Sequence, residues 1–81
     1  MFKIKIYDLD NSYIYMSDMM KNNEPVFEYE FKQPNTEEEF DEIVSHIGHE
    51  GYLYELLKNN KPYADGIMTA DSLYDDLMIG G

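Results

Sequence analysis

Two stretches in the first half of the chain alternate apolar and polar residues. Residues 2–7 and 26–32 both show the two-residue period of a strand that buries one face. The positions expected to face inward are Phe2, Ile4, Ile6, Phe27, Tyr29 and Phe31. The positions expected to face outward are Lys3, Lys5, Tyr7, Glu28, Glu30 and Lys32. Residues 13–16 give a third, shorter strand after a turn, so residues 1–33 are predicted to form a β meander.

Antiparallel pairing of residues 2–7 with residues 26–32 would set Lys3 and Lys5 near Glu28 and Glu30. Opposite charges on paired strands contribute roughly 0.2–1 kcal/mol per pair. We favour this structural role for the four residues. It also removes two cations that could otherwise pair with acidic residues elsewhere in the chain.

Residues 36–48 have the pattern of an amphipathic helix. Thr36 can act as its N-cap, with Glu39 three residues later completing a capping box. Gly48 suits the left-handed position that ends a helix. The apolar residues are spaced i, i+3, i+4 and i+7, which places on one face Phe40, Ile43, Val44 and Ile47.

Two further helices are predicted in the second half. In residues 52–60, Leu53, Leu56 and Leu57 have helical spacing, and residues 59–62 would end the helix. In residues 69–78, Thr69 can act as N-cap with Leu73 facing inward. The predicted fold is therefore α+β, a single domain over residues 1–81, with a small antiparallel sheet of about three strands followed by two to three short helices.

Charge is the strongest global feature of the composition. Seventeen acidic residues against six lysines give a net charge of −11, with no arginine, while 43% hydrophobic residues indicate a folded chain. The absence of a basic patch argues against direct nucleic-acid binding. No apolar run is long enough to span a membrane. Without cysteine or a signal peptide, the sequence predicts a cytoplasmic protein. An alternative role for the acidity is solubility alone.

Five of the six residues from 37 to 42 are carboxylates, with no cation among them. This exceeds what helix capping requires, because like charges at helical spacing repel. We interpret the surplus as a surface for a cationic partner. The candidate partner-binding carboxylates are Glu37, Glu38, Glu39, Asp41, Glu42, Asp71, Asp75 and Asp76. Exposed Tyr52 and Tyr54 are candidate aromatic anchors beside them, although ordinary half-buried packing is the alternative for each tyrosine.

Catalytic chemistry has little support in the sequence. His46 and His49 are the only histidines and could ligate a metal, but exposed positions at a helix end are the favoured interpretation. The Asp8-x-Asp10-x-Ser12 pattern resembles the start of a calcium loop but lacks its glycine and its final glutamate. We therefore predict no enzyme activity, no catalytic residue, no metal site and no cofactor.

At this point the chain resembles the small acidic phage and mobile-element inhibitors that act as DNA mimics. These include several anti-CRISPR proteins and, more weakly, the ArdA-type antirestriction proteins. The resemblance rests on the small size, the absence of arginine, the run Thr-Glu-Glu-Glu-Phe-Asp-Glu at residues 36–42, and the acidic and aromatic stretch from 52 to 63. It covers about residues 36–76.

The resemblance implies a stoichiometric inhibitor of a bacterial defence nuclease that targets nucleic acid. Its acidic helices would occupy the DNA- or PAM-binding groove of a basic partner, with a Cas effector nuclease as the expected target. The inhibitor would act in the cytoplasm of the bacterial host as a monomer or weak dimer. The alternative is an acidic interaction module, an antitoxin or adaptor, that binds a basic partner without mimicking DNA.

Overall fold

A computed structural model describes residues 1–8 and 24–79. In these ranges the chain forms β1 (Phe2–Tyr7), β2 (Phe27–Phe31), α1 (Glu37–Ile47), β3 (Leu53–Lys58), β4 (Lys61–Ile67) and α2 (Ala70–Tyr74), followed by a π-helical turn (Asp75–Ile79). The described strands form one antiparallel sheet in the order β2-β1-β3-β4. The α+β class is confirmed, with four strands rather than about three. The strand expected at residues 13–16 lies outside the described residues.

The pairing of β1 with β2 is the one that the charge pattern predicted. Lys3 lies opposite Glu30, and Lys5 lies opposite Glu28. The Lys3 Nζ atom also makes a diagonal ion pair with Glu28 Oε1 at 3.4 Å. Because both partners are partly exposed, this pair contributes little to stability, at most about 1 kcal/mol.

The predicted helix over residues 52–60 is wrong, because these residues form β3 and the turn into β4. Asn59 and Asn60 join the two strands with φ angles of 52° and 67°. Positive φ at both central residues defines the two-residue hairpin turn that asparagine tolerates well. Residues 59–62 therefore reverse the chain instead of ending a helix, and the sheet gains a second hairpin. A bulge at Tyr63 interrupts the register between β3 and β4.

The hydrophobic core lies between one face of the sheet and the helical segments. The strands contribute Phe2, Ile4, Ile6, Phe31, Tyr54 and Leu56. The helical segments contribute Phe40, Ile43, Ile47, Leu73 and Leu77. Fully burying an aliphatic or phenylalanine side chain of this kind contributes about 1.5–3 kcal/mol. The inward face predicted for α1 is confirmed, with Val44 only partly buried at its margin.

The two helices pack side by side and run antiparallel. The rings of Phe40 in α1 and Tyr74 in α2 meet edge-to-face with centroids 5.3 Å apart. Val44, four residues after Phe40 in α1, and Ala70, four residues before Tyr74 in α2, line the same groove. The two helices therefore run in opposite directions. The Gln33 side-chain amide, just after β2, donates a hydrogen bond of 2.5 Å to the carbonyl of Leu77. Both helices are thus held over the same face of the sheet.

Tyr7 is buried, although the alternation of β1 placed it outward. It lies opposite Leu53 on the sheet face away from the helices, and both residues are less than 5% exposed. Burial, followed by the nearby carboxylates of Glu55 and Glu28, raises the pKa of the Tyr7 hydroxyl. The predicted alternation of β1 is confirmed, but the second face of the sheet is not wholly solvated.

Candidate functional site

The acidic helix α1 is held at both ends by the caps that its sequence predicted. Thr36 has an extended backbone, and its hydroxyl accepts a 3.1 Å hydrogen bond from the Glu39 amide. The Glu39 carboxylate in turn accepts a 3.3 Å hydrogen bond from the Asn35 amide. At the other end, the Gly48 amide donates to the carbonyl of Val44 at 3.0 Å with a φ of 59° at Gly48. These contacts fix where α1 starts and stops.

All five predicted carboxylates of α1 are exposed. The buried face of the helix is formed by Phe40, Ile43 and Ile47, and the carboxylates occupy positions outside that face. The exposed set is Glu37, Glu38, Glu39, Asp41 and Glu42. None of them forms an ion pair with a lysine in the described part of the chain. Neighbouring carboxylates at helical spacing lie about 5–6 Å apart at their Cβ atoms, so they repel one another.

α2 and the π-helical turn after it each add one exposed carboxylate next to α1. Thr69 caps this helix by accepting a 3.1 Å hydrogen bond from the Ser72 amide. Asp71 and Asp75 are one helical turn apart, and both are exposed. Since α2 packs against α1 through Tyr74, the structure brings these two aspartates into the same layer as the α1 carboxylates.

Asp76 and Tyr54 are not available at the surface in the way the sequence suggested. The Tyr54 side chain is 1% exposed, and its hydroxyl donates a hydrogen bond to the Asp76 carboxylate. The backbone carbonyl of Asp76 accepts a second hydrogen bond, of 3.3 Å, from Tyr63. Burial, and next the hydrogen bond to Asp76, raise the pKa of Tyr54 well above its usual range. The prediction of Tyr54 as an exposed aromatic anchor is therefore wrong, and half-buried Asp76 has a structural contact.

Tyr52 is half-buried beside His49. Its ring meets the His49 ring edge-to-face at 5.3 Å, and the His49 ring lies 4.9 Å from that of Phe27. The His46 ring lies 4.3 Å from that of Tyr29. No group of three or more residues able to hold a metal ion occurs among the described residues. Both histidines thus contact aromatic rings, and His49 Nδ1 also lies 2.6 Å from the carbonyl oxygen of Ile47.

The charges divide sharply between the two layers of the fold. The four strands carry four lysines and four carboxylates, so their formal charges cancel. The helical segments carry eight carboxylates and no lysine. Lys58 of β3 makes cation–π contacts with rings of neighbouring strands. Its ammonium lies 5.6 Å from the Phe2 ring centroid and 5.7 Å from that of Tyr63. We call the acidic side formed by α1, α2 and the π-helical turn the helix layer.

A groove between the two helices was not foreseen from the sequence. The sequence pattern places Val44 on the core face of α1, and Ala70 directly follows Thr69, the predicted N-cap of the last helix. The relevant signal is the small size of Ser45, Gly48 and Ala70, which leaves space where the helices meet. This signal has meaning only once the antiparallel packing of α1 and α2 is known.

Comparisons with family models, curated proteins and solved structures found no match to this chain. Among the described residues, no helix is long and apolar enough to cross a membrane.

Proposed function

We propose that the chain is a stoichiometric inhibitor of a bacterial nuclease that targets nucleic acid, of the anti-CRISPR kind. The helix layer would occupy the positively charged groove in which the nuclease binds DNA. The observation that supports this is the separation of charge, with eight carboxylates in the helical segments and cancelling charges on the strands. Acidity serving solubility alone does not require such a separation.

The charge density of α1 supports mimicry of a nucleic-acid backbone. Residues 37–42 carry five carboxylates, and six helical residues span about 9 Å at 1.5 Å per residue. The resulting density is one charge per about 1.8 Å of helix axis, close to the one charge per about 1.7 Å of duplex DNA. A groove built for a phosphate backbone would therefore meet a similar field along this stretch of α1.

The helix layer also presents its charges in an ordered form. The capped ends and buried face of α1 fix its position on the sheet. Since no described lysine pairs with the α1 carboxylates, a partner's lysines and arginines would not have to displace a lysine of the described residues. The paired arginines that read the PAM in a Cas nuclease are one such partner site. Inhibition by occupancy would be stoichiometric, without turnover, and weakened by salt.

The test is inhibition of guide-loaded Cas nucleases by the wild-type protein and by the double variant Glu38→Lys/Asp41→Lys. We expect the wild type to bind one effector, to be displaced by excess target DNA, and to lose binding as salt rises. The double variant should lose inhibition, because it reverses two charges in the densest part of α1. Its fold is checked by circular dichroism and thermal unfolding.

A matched control is Asp8→Lys/Glu24→Lys, which makes the same change in net charge away from the helix layer. Both residues are exposed, Asp8 directly after β1 and Glu24 three residues before β2. We expect this variant to inhibit like the wild type. Full inhibition by the α1 variant, or equal loss in both variants, would contradict the proposal that the helix layer is the contact surface.

A second candidate function is an antitoxin or adaptor that binds a basic partner without mimicking DNA. The observation that favours it is the short reach of the charged stretch, since about 9 Å corresponds to fewer than three base pairs at 3.4 Å each. The two candidate functions differ in whether nucleic acid competes with the chain for its partner. Binding to a basic partner that survives excess nucleic acid supports the interaction module, whereas displacement supports the mimic.

A further inference from the structure

The helix layer contains a groove where the end of α1 meets the start of α2. Its volume is about 230 Å³, smaller than the roughly 300–1,000 Å³ of pockets that take drug-sized ligands. Its walls are Val44, Ser45 and Gly48 on one side and Met68, Thr69 and Ala70 on the other. A space of this size suits one inserted side chain better than a cofactor.

The chemistry of the groove combines an apolar interior with an acidic rim. Met68 is buried at its base, and half-buried Val44 lines one wall. Glu50 lines the groove itself, and the exposed carboxylate of Asp71 follows Ala70 in the chain. Asp41 precedes Ser45 by one helical turn on the same side of α1. Among the described residues no lysine lines the groove, and the carboxylates give its rim a negative charge.

We propose that this groove receives one aliphatic side chain from a basic segment of the partner protein. The flanking lysines and arginines of that segment would contact Asp41, Glu50 and Asp71. This inference rests on the proposed function, because it specifies how the basic partner docks on the helix layer. Complementary charge selects such a segment over an anionic or neutral one, and the apolar interior adds affinity that charge alone does not supply.

The experiment uses the full chain and two synthetic peptides. Both alternate lysine and arginine, and they differ only in a central leucine or alanine. Binding is measured at low salt by NMR titration, which reports affinity and shows which backbone amides respond. We expect the leucine peptide to bind roughly five- to tenfold more tightly, since partial burial of its extra methylenes contributes the difference. The amides of Val44, Gly48 and Ala70 should respond most to the change of peptide.

Two variants fill the groove from opposite walls without changing charge. Ala70→Leu acts from α2, where leucine is nearly as good a helix former as alanine, and Ser45→Leu acts from α1. In each variant that folds, as judged by circular dichroism, the two peptides should bind with equal affinity. Glu38→Lys/Asp41→Lys should instead weaken both peptides and leave the leucine preference in place.

Each outcome decides between the proposals. Equal binding of both peptides to the wild type overturns the groove proposal while leaving the acidic surface as a docking site. A leucine preference that survives in both filled variants shows that the leucine binds elsewhere, and also overturns it. If neither peptide binds the wild type at low salt, both the groove proposal and the proposed helix-layer contact are overturned.

Discussion

Removing the hydroxyl of Tyr54 should destabilise the fold without affecting partner binding directly. In Tyr54→Phe the ring keeps its buried place in the core, but the hydrogen bond to Asp76 is lost. The Asp76 carboxylate then lacks its side-chain donor. This substitution tests whether Tyr54 belongs to the core, as the structure shows, and not to the surface, as the sequence predicted.

The expected loss follows from the burial of the two partners. A hydrogen bond to a charged group contributes about 1.5–3 kcal/mol, and more of this is lost when the remaining partner is shielded from water. Tyr54 is buried, whereas Asp76 is only half-buried, so water can partly replace the missing donor. We therefore expect a fall of about 1.5–2 kcal/mol in the free energy of unfolding. For a domain of this size, that corresponds to a Tm lower by about 6–16 °C.

The assay is urea and thermal unfolding of a double-mutant cycle formed by Tyr54→Phe and Asp76→Ala. The two changes should couple by at least about 1 kcal/mol, because the second removes a bond that the first has already broken. Asp75→Ala is the matched control, since Asp75 is the exposed neighbour in the same π-helical turn, and its effect should stay within about 0.5 kcal/mol. Additive effects of Tyr54→Phe and Asp76→Ala would refute the hydrogen bond as a stabilising contact.

Two further predictions concern the hairpin turn and the pH dependence of stability. Asn60→Ala should destabilise the fold by about 1 kcal/mol, because alanine tolerates the φ of 67° poorly; Asn60→Gly should not, and equal urea midpoints for the two variants would contradict the turn assignment. The raised pKa of Tyr54 predicts that its contribution to stability is complete below about pH 10, the ordinary tyrosine value, and is lost as pH rises through the folded-state pKa. Tyrosinate absorbance and unfolding measured across alkaline pH should show this decline, less steeply in Tyr54→Phe; a wild-type stability that rises above pH 10 would contradict the direction of the shift.

The elements that the sequence predicted well are those whose local pattern marks the face buried against the core. β1 and β2 alternate cleanly on the helix side, and α1 carries its caps and its apolar stripe within the local sequence. Thr69 likewise marked the start of α2, although the helical segment continues as a π-helical turn instead of a regular α-helix. In each case the local pattern agrees with the final packing.

The helix prediction for residues 52–60 is wrong because β3 is buried on both faces. Leu53 and Leu56 lie on opposite sides of this strand, yet both are fully buried. A strand with two buried faces does not alternate, and three leucines within five residues then fit helical spacing equally well. The Asn59-Asn60 pair was the available signal for a hairpin, but it is also a plausible end for a helix. The neighbouring strands resolve the ambiguity, and the local sequence does not contain them.

The candidate site was predictable in its charges and not in its tyrosines. Carboxylates on the polar face of a capped helix are exposed wherever the helix packs, so the α1 set followed from the sequence. Whether Tyr54 faces solvent depends on the type of element that carries it. Once residues 53–58 form a central strand, Tyr54 lies beneath the helical segments. The groove beside Ala70 depends on how two distant segments pack together, which no local pattern specifies.

The strand order also has a consequence for how the chain acquires its structure. β1 comes first in the chain yet occupies an interior position between β2 and β3, where Phe2 pairs with Lys58. Pairing Phe2 with Lys58 closes a far longer loop than the two-residue turn between β3 and β4, and it therefore costs more entropy. We expect the β3–β4 hairpin to form early and β1 to join the sheet late, which slows folding relative to a sheet built from neighbouring strands. During synthesis on a ribosome, β1 would wait without its central partner until Lys58 had emerged.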